Sequence, residues 1–212
     1  MPGHASVLAL LVFMSSVFRI RSYWFACLLL MGCSGETVFP YVLQGSTMGT
    51  TYKVKLVFAE KKTQAQLDMI HKGVEATLVL VDTTMSTYKD DSELSLINGL
   101  QSVTDRVISK PLYDVLSTAK DVYQLTNGMF DVTIGPLVDL WGFGASFKAY
   151  DVPTQADIAK LSPMVGSHLI VLKDGRLTRH AEAKIDLSSL AKGFAVDRVA
   201  ETLDEFGVHN YL

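Results

Sequence analysis

The amino-acid sequence predicts an α+β fold, in which helices pack on a mixed or antiparallel sheet. Residues 51–58 alternate apolar side chains with polar ones, which is the period of a half-buried strand. Gln64–Met85 repeats apolar residues at spacings of three and four, which is the period of an amphipathic helix. Further helices then follow among strand and hairpin signals, an order typical of α+β domains.

Two shorter helices are predicted after the long one. A polar loop over residues 86–93 leads into a short helix that ends near Asn98. Ser109 is a good N-cap for the next helix, whose apolar residues recur on one face. The pair Asn127 and Gly128 has the composition of a helix stop, so this helix is expected to end there.

The C-terminal third adds two helices and a hairpin. Residues 129–141 are apolar but rich in Gly and Pro, so no single regular element is expected there. A short helix is expected over residues 153–161, and the Asp-Gly pair at 174–175 is a strong hairpin signal. The last helix is expected to end at Gly207, and residues 209–212 begin another strand.

Composition argues against several classes of protein. The 212 residues are 49% hydrophobic and 19% charged, which is enough for one sizeable core. The net charge of −3 and the lack of a basic stripe argue against nucleic acid as a partner. The sequence from Ser34 onward contains no cysteine, which excludes a disulfide framework and a thiolate metal site in that part of the chain. The five histidines show no metal-ligand spacing.

The N-terminus is predicted to be a targeting segment rather than part of the fold. Arg19 and Arg21 precede an apolar stretch that ends in Leu-Met-Gly-Cys, which resembles a bacterial lipoprotein signal with Cys33 as the lipidated residue. The alternative is an uncleaved transmembrane helix, because residues 7–18 are also apolar. The two arginines favour the signal, since they divide the hydrophobic run into pieces shorter than the ~20 residues that a span needs.

This interpretation divides the chain into three regions. Residues 1–32 would be the signal peptide, residues 33–44 a tether, and residues 45–212 the folded domain. The domain would then be held on the extracytoplasmic side of a membrane. Stable anchoring of this kind takes more than one acyl chain.

The segment at 186–193, Asp-Leu-Ser-Ser-Leu-Ala-Lys-Gly, is unusual for the start of a helix. Ser188 and Ser189 are good N-cap residues, because a serine hydroxyl can accept a bond from a free backbone N–H. Lys192 would then fall in the first helical turn, against the positive end of the helix dipole. Gly193 costs about 1 kcal/mol relative to alanine inside a helix. Both choices are explained if an anionic ligand binds at this helix start and the backbone must come close to it.

Three other segments place polar groups in apolar or glycine-rich surroundings. The segment at 45–50, Gly-Ser-Thr-Met-Gly-Thr, is either a ligand loop or a simple turn that enters a strand. The segment at 86–94 is either a ligand loop or a helix start capped by Ser92. Within residues 127–144, Asp131 needs a partner, because an unpaired carboxylate in an apolar run is costly. Capping of a tight turn would also supply that partner.

Together and in this order, the four segments resemble the FAD:protein FMN transferases, the ApbE family. The motifs that carry the resemblance are Thr-Met-Gly-Thr at 47–50, Ser-Thr-Tyr at 86–88, Phe-Asp-Val-Thr-Ile-Gly-Pro-Leu at 130–137 and the segment at 186–193. The ordered set is highly specific, and the resemblance covers nearly all of residues 45–212. It implies an ApbE-like flavinyltransferase fold that is incomplete at the C-terminus.

The resemblance also implies a function that the residues alone do not. Members of the family split the pyrophosphate of FAD with the help of Mg²⁺, pass FMN to a Thr or Ser hydroxyl of a target protein, and release AMP. Typical targets are subunits of the sodium-pumping NADH:quinone reductase and related electron-transport complexes. A lipoprotein of this family would sit on the periplasmic side of the inner membrane, although Ser34 after Cys33 leaves outer-membrane sorting open.

Site residues follow from the same resemblance, position by position. The residues that would contact FAD are Met48, Tyr88, Met129, Phe130, Asp131, Asp186 and Lys192. Ser189, through its backbone carbonyl, would be one ligand of Mg²⁺. The family's other Mg²⁺ ligands belong to a later Asp-containing motif, which has no counterpart in these 212 residues. If they were the whole natural product, we would expect poor Mg²⁺ retention and little transfer.

Two alternative functions are compatible with the same residues. If water replaced the target hydroxyl, the protein would be an FAD pyrophosphatase that produces FMN and AMP. If no reaction took place, the protein would be a membrane-tethered flavin-binding lipoprotein that holds FAD intact.

Overall fold

The computed structural model describes residues 37–145, 152–180 and 183–212. The predicted signal peptide and Cys33 lie outside these ranges, so the lipoprotein interpretation stays a prediction. Residues 40–212 form one compact unit. Within the described ranges, no helix has the length and apolar character needed to cross a bilayer.

The first two strands form a two-stranded sheet. Strand β1 spans Phe39–Thr47 and strand β2 spans Thr50–Phe58. Met48 and Gly49 join them with positive φ angles of 47° and 69°, which is the conformation of a tight type I′ hairpin turn. The expected tether at 33–44 is therefore corrected, because residues 39–44 lie in β1. Pro40 and Gly45 interrupt the alternating pattern that would have revealed this strand.

The end of the described chain, where a strand was expected to begin, pairs with this sheet. The Leu212 N–H donates to the Lys55 carbonyl at 3.0 Å, and the Lys55 N–H donates to the Leu212 carbonyl at 2.7 Å. The Val57 N–H donates to the carbonyl of Asn210 at 2.9 Å. Residues 210–212 thus pair antiparallel with β2 through an isolated bridge.

Two long helices lie side by side in the core. Helix α1 spans Gln64–Met85, as its period predicts, and a capping box between Thr63 and Gln66 fixes its start. We number the remaining helices in chain order, so the C-terminal helix, Ser188–Glu205, is α6. The Thr77 and Thr202 hydroxyls share a hydrogen bond of 2.7 Å between α1 and α6, which fixes how one helix is aligned along the other.

A second, three-stranded sheet lies elsewhere in the domain. Strands β3 (Val103–Val107), β4 (Ile170–Lys173) and β5 (Arg176–Arg179) pair antiparallel in the order β3-β5-β4. The predicted hairpin between β4 and β5 is confirmed. Its turn residues Asp174 and Gly175 have φ angles of 49° and 75°, so the Asp-Gly pair supplies the positive φ values that a tight hairpin needs.

The described ranges contain four shorter helices: α2 (Glu93–Asn98), α3 (Lys110–Leu125), α4 (Gly135–Leu140) and α5 (Gln155–Leu161). Ser109 caps α3, and the turn after it closes where the Gly128 N–H donates to the Tyr123 carbonyl. Short 3₁₀ turns at Ser162–Met164 and Ser167–Leu169 lead into β4. Helix α4 lies in the Gly- and Pro-containing stretch for which no single regular element was expected.

The core is built from both sheets and from the helices between them. Fully buried apolar side chains from β2, β5, α1, α2, α3 and α6, and from the segment before α6, are Leu56, Val74, Leu94, Ile97, Leu112, Leu116, Ile185, Leu187, Leu203 and Leu177. Helices packed with two small antiparallel sheets around one core confirm the α+β prediction.

One close backbone approach anchors the segment that precedes α6. Ile134 and Lys184 form a parallel bridge, and the Gly135 N–H donates to the Lys184 carbonyl at 3.1 Å. A Cβ atom on Gly135 would lie 2.6 Å from that carbonyl oxygen. Only a glycine fits there without moving backbone.

This contact predicts opposite effects of two Gly→Ala substitutions. We expect Gly135→Ala to lower the free energy of unfolding by about 1–3 kcal/mol, because the added methyl must displace the Lys184 backbone. Gly193→Ala, inside α6 with no atom within 4 Å of the added Cβ, should raise it by about 1 kcal/mol. Urea unfolding of both variants measures the difference, and equal midpoints would contradict the close approach.

Candidate functional site

A groove of about 520 Å³ lies where the end of α1 meets the start of α6. Its lining comes from the β1–β2 turn, from the last turn of α1 and the loop after it, and from the first turns of α6. The lining residues are Met48, Gly49, Val81, Asp82, Met85, Ser86, Thr87, Tyr88, Lys89, Ser188, Ala191 and Lys192. The groove therefore brings together Met48, Tyr88 and Lys192, which the resemblance predicts as FAD contacts.

The first wall is the loop that follows α1. The helix ends where the Ser86 N–H donates to the Asp82 carbonyl at 3.1 Å, and the Tyr88 N–H then donates to the Ser86 hydroxyl at 3.2 Å. The Tyr88 hydroxyl donates to the Phe143 carbonyl at 3.2 Å. The side chain is 66% exposed, so its ring face is open to an aromatic ligand while its hydroxyl is held.

An ion pair lies on the same wall. Lys89 Nζ is 2.6 Å from Asp82 Oδ2, and both residues line the groove. The hydrogen bond that Lys89 donates to Asp82 and the negative charge of that carboxylate raise the pKa of Lys89. Lys89 is therefore a permanent cation at neutral pH, although its charge is shared with a carboxylate.

Neither residue was identified from the sequence. Asp82 falls in the α1 repeat and Lys89 in a charged loop, so each has an ordinary explanation when taken alone. The signal that could have found them is their position on either side of the predicted helix end. Asp82 lies in the last turn of α1, and a loop that folds back after the helix brings Lys89 close to it.

The second wall is the start of α6, and here two expectations are wrong. The N-cap position is Leu187, without a side-chain hydrogen bond, and Ser188 and Ser189 are the first two helical residues rather than caps. Asp186 takes over the capping, because its Oδ1 accepts the Ser188 N–H at 2.8 Å. Lys192 is the fifth helical residue, at the start of the second turn rather than in the first.

Most backbone donors at this helix start already have partners. The Leu190 and Ala191 N–H groups donate to the Leu187 carbonyl at 2.9 and 2.8 Å, and Ser188 donates to Asp186. Only the Ser189 N–H is left without a partner among the described residues. An anion in the groove would consequently depend on the Lys192 side chain, which is exposed and pairs with no described residue.

Ser189 lies on the other side of α6 and lines a smaller cavity of about 210 Å³. Gly193, Val115 and Thr118 line the same cavity, so α6 turns Ser189 and Lys192 toward different spaces. Mg²⁺ prefers several oxygen ligands at octahedral positions. Within the described ranges, no group of three or more His, Cys, Asp or Glu residues could hold a metal, and Ser189 alone does not make such a site.

The third motif lies outside both cavities. Met129 is 90% exposed, while Phe130 packs on the core. Asp131 Oδ1 accepts the Thr133 N–H at 2.8 Å and the Thr133 hydroxyl at 2.6 Å, which is the turn-capping alternative. The predicted FAD contacts of these three residues stay predictions.

The same motif nevertheless supports the start of α6. The Asp186 N–H donates to the Val132 carbonyl at 2.8 Å, next to the bridge between Ile134 and Lys184. The motif therefore affects the groove indirectly, because its backbone holds Asp186 in place at the start of α6.

The capping contact predicts the effect of removing the Asp186 carboxylate. We expect Asp186→Ala to lower the free energy of unfolding by about 1 kcal/mol, because the Ser188 N–H loses its acceptor. Asp197→Ala, on the same helix without a capping contact, is the matched control. Chemical denaturation measures both variants, and an unchanged stability of Asp186→Ala would contradict the capping role.

Comparison with known proteins agrees with this architecture. A model of the ApbE family matches residues 48–212. The chain is 39% identical over 189 residues to the FAD:protein FMN transferase of Haemophilus influenzae, with 86% of this chain and 54% of that protein covered. The chain thus spans about half the length of the curated relatives it matches.

Solved structures show the same likeness. The flavin transferase ApbE from Vibrio cholerae superposes with a TM-score of 0.77 at 34% identity, over 82% of this chain and 56% of that one. The apo form of the flavinyl transferase ApbE from Pseudomonas stutzeri gives a TM-score of 0.75 at 30% identity, over 86% of this chain and 60% of that one. The chain belongs to the ApbE family.

Proposed function

We propose that the chain forms the FAD-binding part of a flavin transferase that moves FMN from FAD to a Thr or Ser hydroxyl of a target protein and releases AMP. The observation that carries the proposal is the groove itself. It places an exposed aromatic ring, Tyr88, on one wall and a lysine without a partner among the described residues, Lys192, on the other.

The groove matches the two chemical halves of the proposed ligand. Met48 joins Tyr88 to give an apolar and aromatic surface that suits a flavin ring, with the buried Met85 behind it. Lys192 supplies positive charge for the pyrophosphate on the facing wall. The Ser188 side chain, exposed beside it, can donate a hydrogen bond to a phosphate oxygen.

The proposed reaction exchanges one phosphorus–oxygen bond for another. The target hydroxyl oxygen attacks the phosphorus of the FMN half, the bond to the bridging oxygen breaks, and AMP leaves with that oxygen while the hydroxyl proton is released. Phosphoryl transfer depends mainly on positioning and charge neutralisation. Lys192 would position the pyrophosphate in the groove and neutralise part of its negative charge.

We also propose that the reaction uses Mg²⁺, with the carbonyl of Ser189 as one ligand. Mg²⁺ would neutralise phosphate charge and orient the oxygens at phosphorus. A helical carbonyl has a second lone pair for this purpose. Phosphate oxygens of FAD and water molecules would fill several of its other positions.

The proposal is tested by incubating the complete natural protein with FAD, Mg²⁺ and a candidate target subunit of the sodium-pumping NADH:quinone reductase. We expect AMP release together with flavin fluorescence on the denatured target band. AMP release without flavin on any offered target would instead support the FAD pyrophosphatase. Bound, intact FAD without AMP under all metal conditions would support the flavin-binding lipoprotein.

Lys192→Ala separates ligand binding from folding. We expect the free energy of unfolding to change by less than about 0.5 kcal/mol, because this exposed side chain has no described partner. FAD affinity should fall about tenfold or more, because charged hydrogen bonds to phosphate are strong. Flavin fluorescence titration and thermal unfolding measure the two effects.

Lys120→Ala is the matched control, since Lys120 is an exposed helical lysine on α3 that lines neither cavity. It should leave both quantities unchanged. A Lys192→Ala protein that unfolds several degrees earlier but binds FAD normally would contradict the ligand role.

We further propose that Cys33 carries a lipid that holds the domain on the periplasmic side of the inner membrane. The support is the sequence pattern alone. Cys33→Ser should move the protein from the membrane fraction to the soluble fraction on cell fractionation. Cys27→Ser, which alters the other cysteine of the same apolar region, should leave it in the membrane fraction. If Cys33→Ser also stays there, the lipid anchor is wrong.

A further inference from the structure

Helix α2 connects the two walls of the groove. At its start, the hydroxyls of Ser92 and Ser95 both donate to the Ser86 carbonyl, at 2.5 and 3.0 Å. Ser86 lines the groove and accepts the N–H of Tyr88 through its hydroxyl. The beginning of α2 therefore fixes the wall that presents Tyr88.

The other end of α2 holds the segment that leads into α6. The Asn98 side chain donates to the Ile185 carbonyl at 2.8 Å and accepts the Ile185 N–H at 3.0 Å. This pair of hydrogen bonds is the one that a neighbouring β-strand would make with Ile185. Ile185 is fully buried and directly precedes Asp186. The end of α2 therefore fixes the wall that presents Lys192.

Arg179 strengthens that second attachment. Its side chain is 2% exposed, and its Nη2 donates to the carbonyls of Ile97 and Leu100 at 3.0 and 2.5 Å. Its Nη1 donates to the Ala183 carbonyl at 2.5 Å. One buried guanidinium thus connects the C-terminal end of α2 with Ala183, which lies two residues before Ile185.

We propose that α2 is a positioning element that sets the distance between the Tyr88 wall and the Lys192 wall, with Asn98 and Ser95 as its positioning residues. This inference rests on the proposed function, because FAD is taken as the ligand that spans both walls. Neither residue lines the groove, so each acts through backbone: Asn98 through Ile185, and Ser95 through Ser86.

Asn98→Asp is the most informative variant, because the two side chains have the same shape. The ionised carboxylate still accepts the Ile185 N–H but faces the Ile185 carbonyl without a donor. We expect the full chain to bind FAD about tenfold more weakly than the native protein at pH 7. When the introduced carboxyl is protonated at acidic pH, its O–H replaces the lost donor, so the affinity relative to native should recover as pH falls.

Two controls separate this effect from charge and from general destabilisation. Gln124→Glu adds the same charge at an exposed position of α3 and should bind FAD as the native chain does. Ser95→Ala should weaken binding like Asn98→Asp, whereas Ser117→Ala, on α3 without a side-chain bond among the described residues, should not. If Asn98→Asp only lowers the unfolding temperature and binds FAD normally at all pH values, the positioning role is overturned.

A second readout does not depend on FAD, so it stands if the native chain proves not to bind the ligand. Hydrogen exchange without ligand should show that Asn98→Asp increases exchange at the Asp186 and Ser188 amides and also at the Ser86 and Tyr88 amides on the opposite wall. Loss of protection at the first pair alone would overturn the connection through α2. Failure of the native chain to bind FAD would overturn the proposed function instead.

Discussion

The groove depends on the antiparallel packing of α1 against α6. A hydrogen bond between Thr77 and Thr202 joins the two helices. Beyond it, the C-terminal end of α1 and the N-terminal end of α6 both reach the groove. The C-terminal end of one helix dipole therefore meets the N-terminal end of the other. Cations suit the first and anions the second, so a site between them can hold both Lys89 and a phosphate ligand.

The start of α6 shows how that site divides its charges. A helix start is a ready anion site when its N–H groups are free. Here Asp186 and the Leu187 carbonyl already occupy three of these donors. The negative charge of Asp186 also stabilises the helix dipole, so the lysine side chain, rather than the backbone, provides most of the attraction for a ligand.

Much of the fold could be predicted, because its signals are local. The period of three and four gives α1 with its observed bounds, and the Asp-Gly pair gives the β4–β5 hairpin. Strand β1 was missed because Pro40 and Gly45 hide its alternation, and its Pro lies where a two-stranded sheet tolerates a missing donor. The capping residue of α6 was predicted wrongly, because Ser188 and Ser189 are common N-cap residues. The residue that accepts the Ser188 N–H is Asp186, which lies two positions earlier.

The site was harder to predict, since it is assembled from distant residues. Met48, Tyr88 and Lys192 were grouped through the family resemblance and not through any spacing, and the fold brings them to one groove. Asp82 and Lys89 have ordinary local explanations and gain meaning only once α6 faces them. Met129, Phe130 and Asp131 lie outside the described cavities, so their predicted contacts with FAD stay predictions.

Hydrogen exchange of the full chain with and without FAD tests the central claim most directly. If FAD spans the groove, the Ser188 N–H and the Tyr88 N–H should gain protection over the same range of FAD concentration, because both residues line the groove and one ligand covers both walls. Protection confined to one wall, or confined to the segment around Met129, would contradict the account.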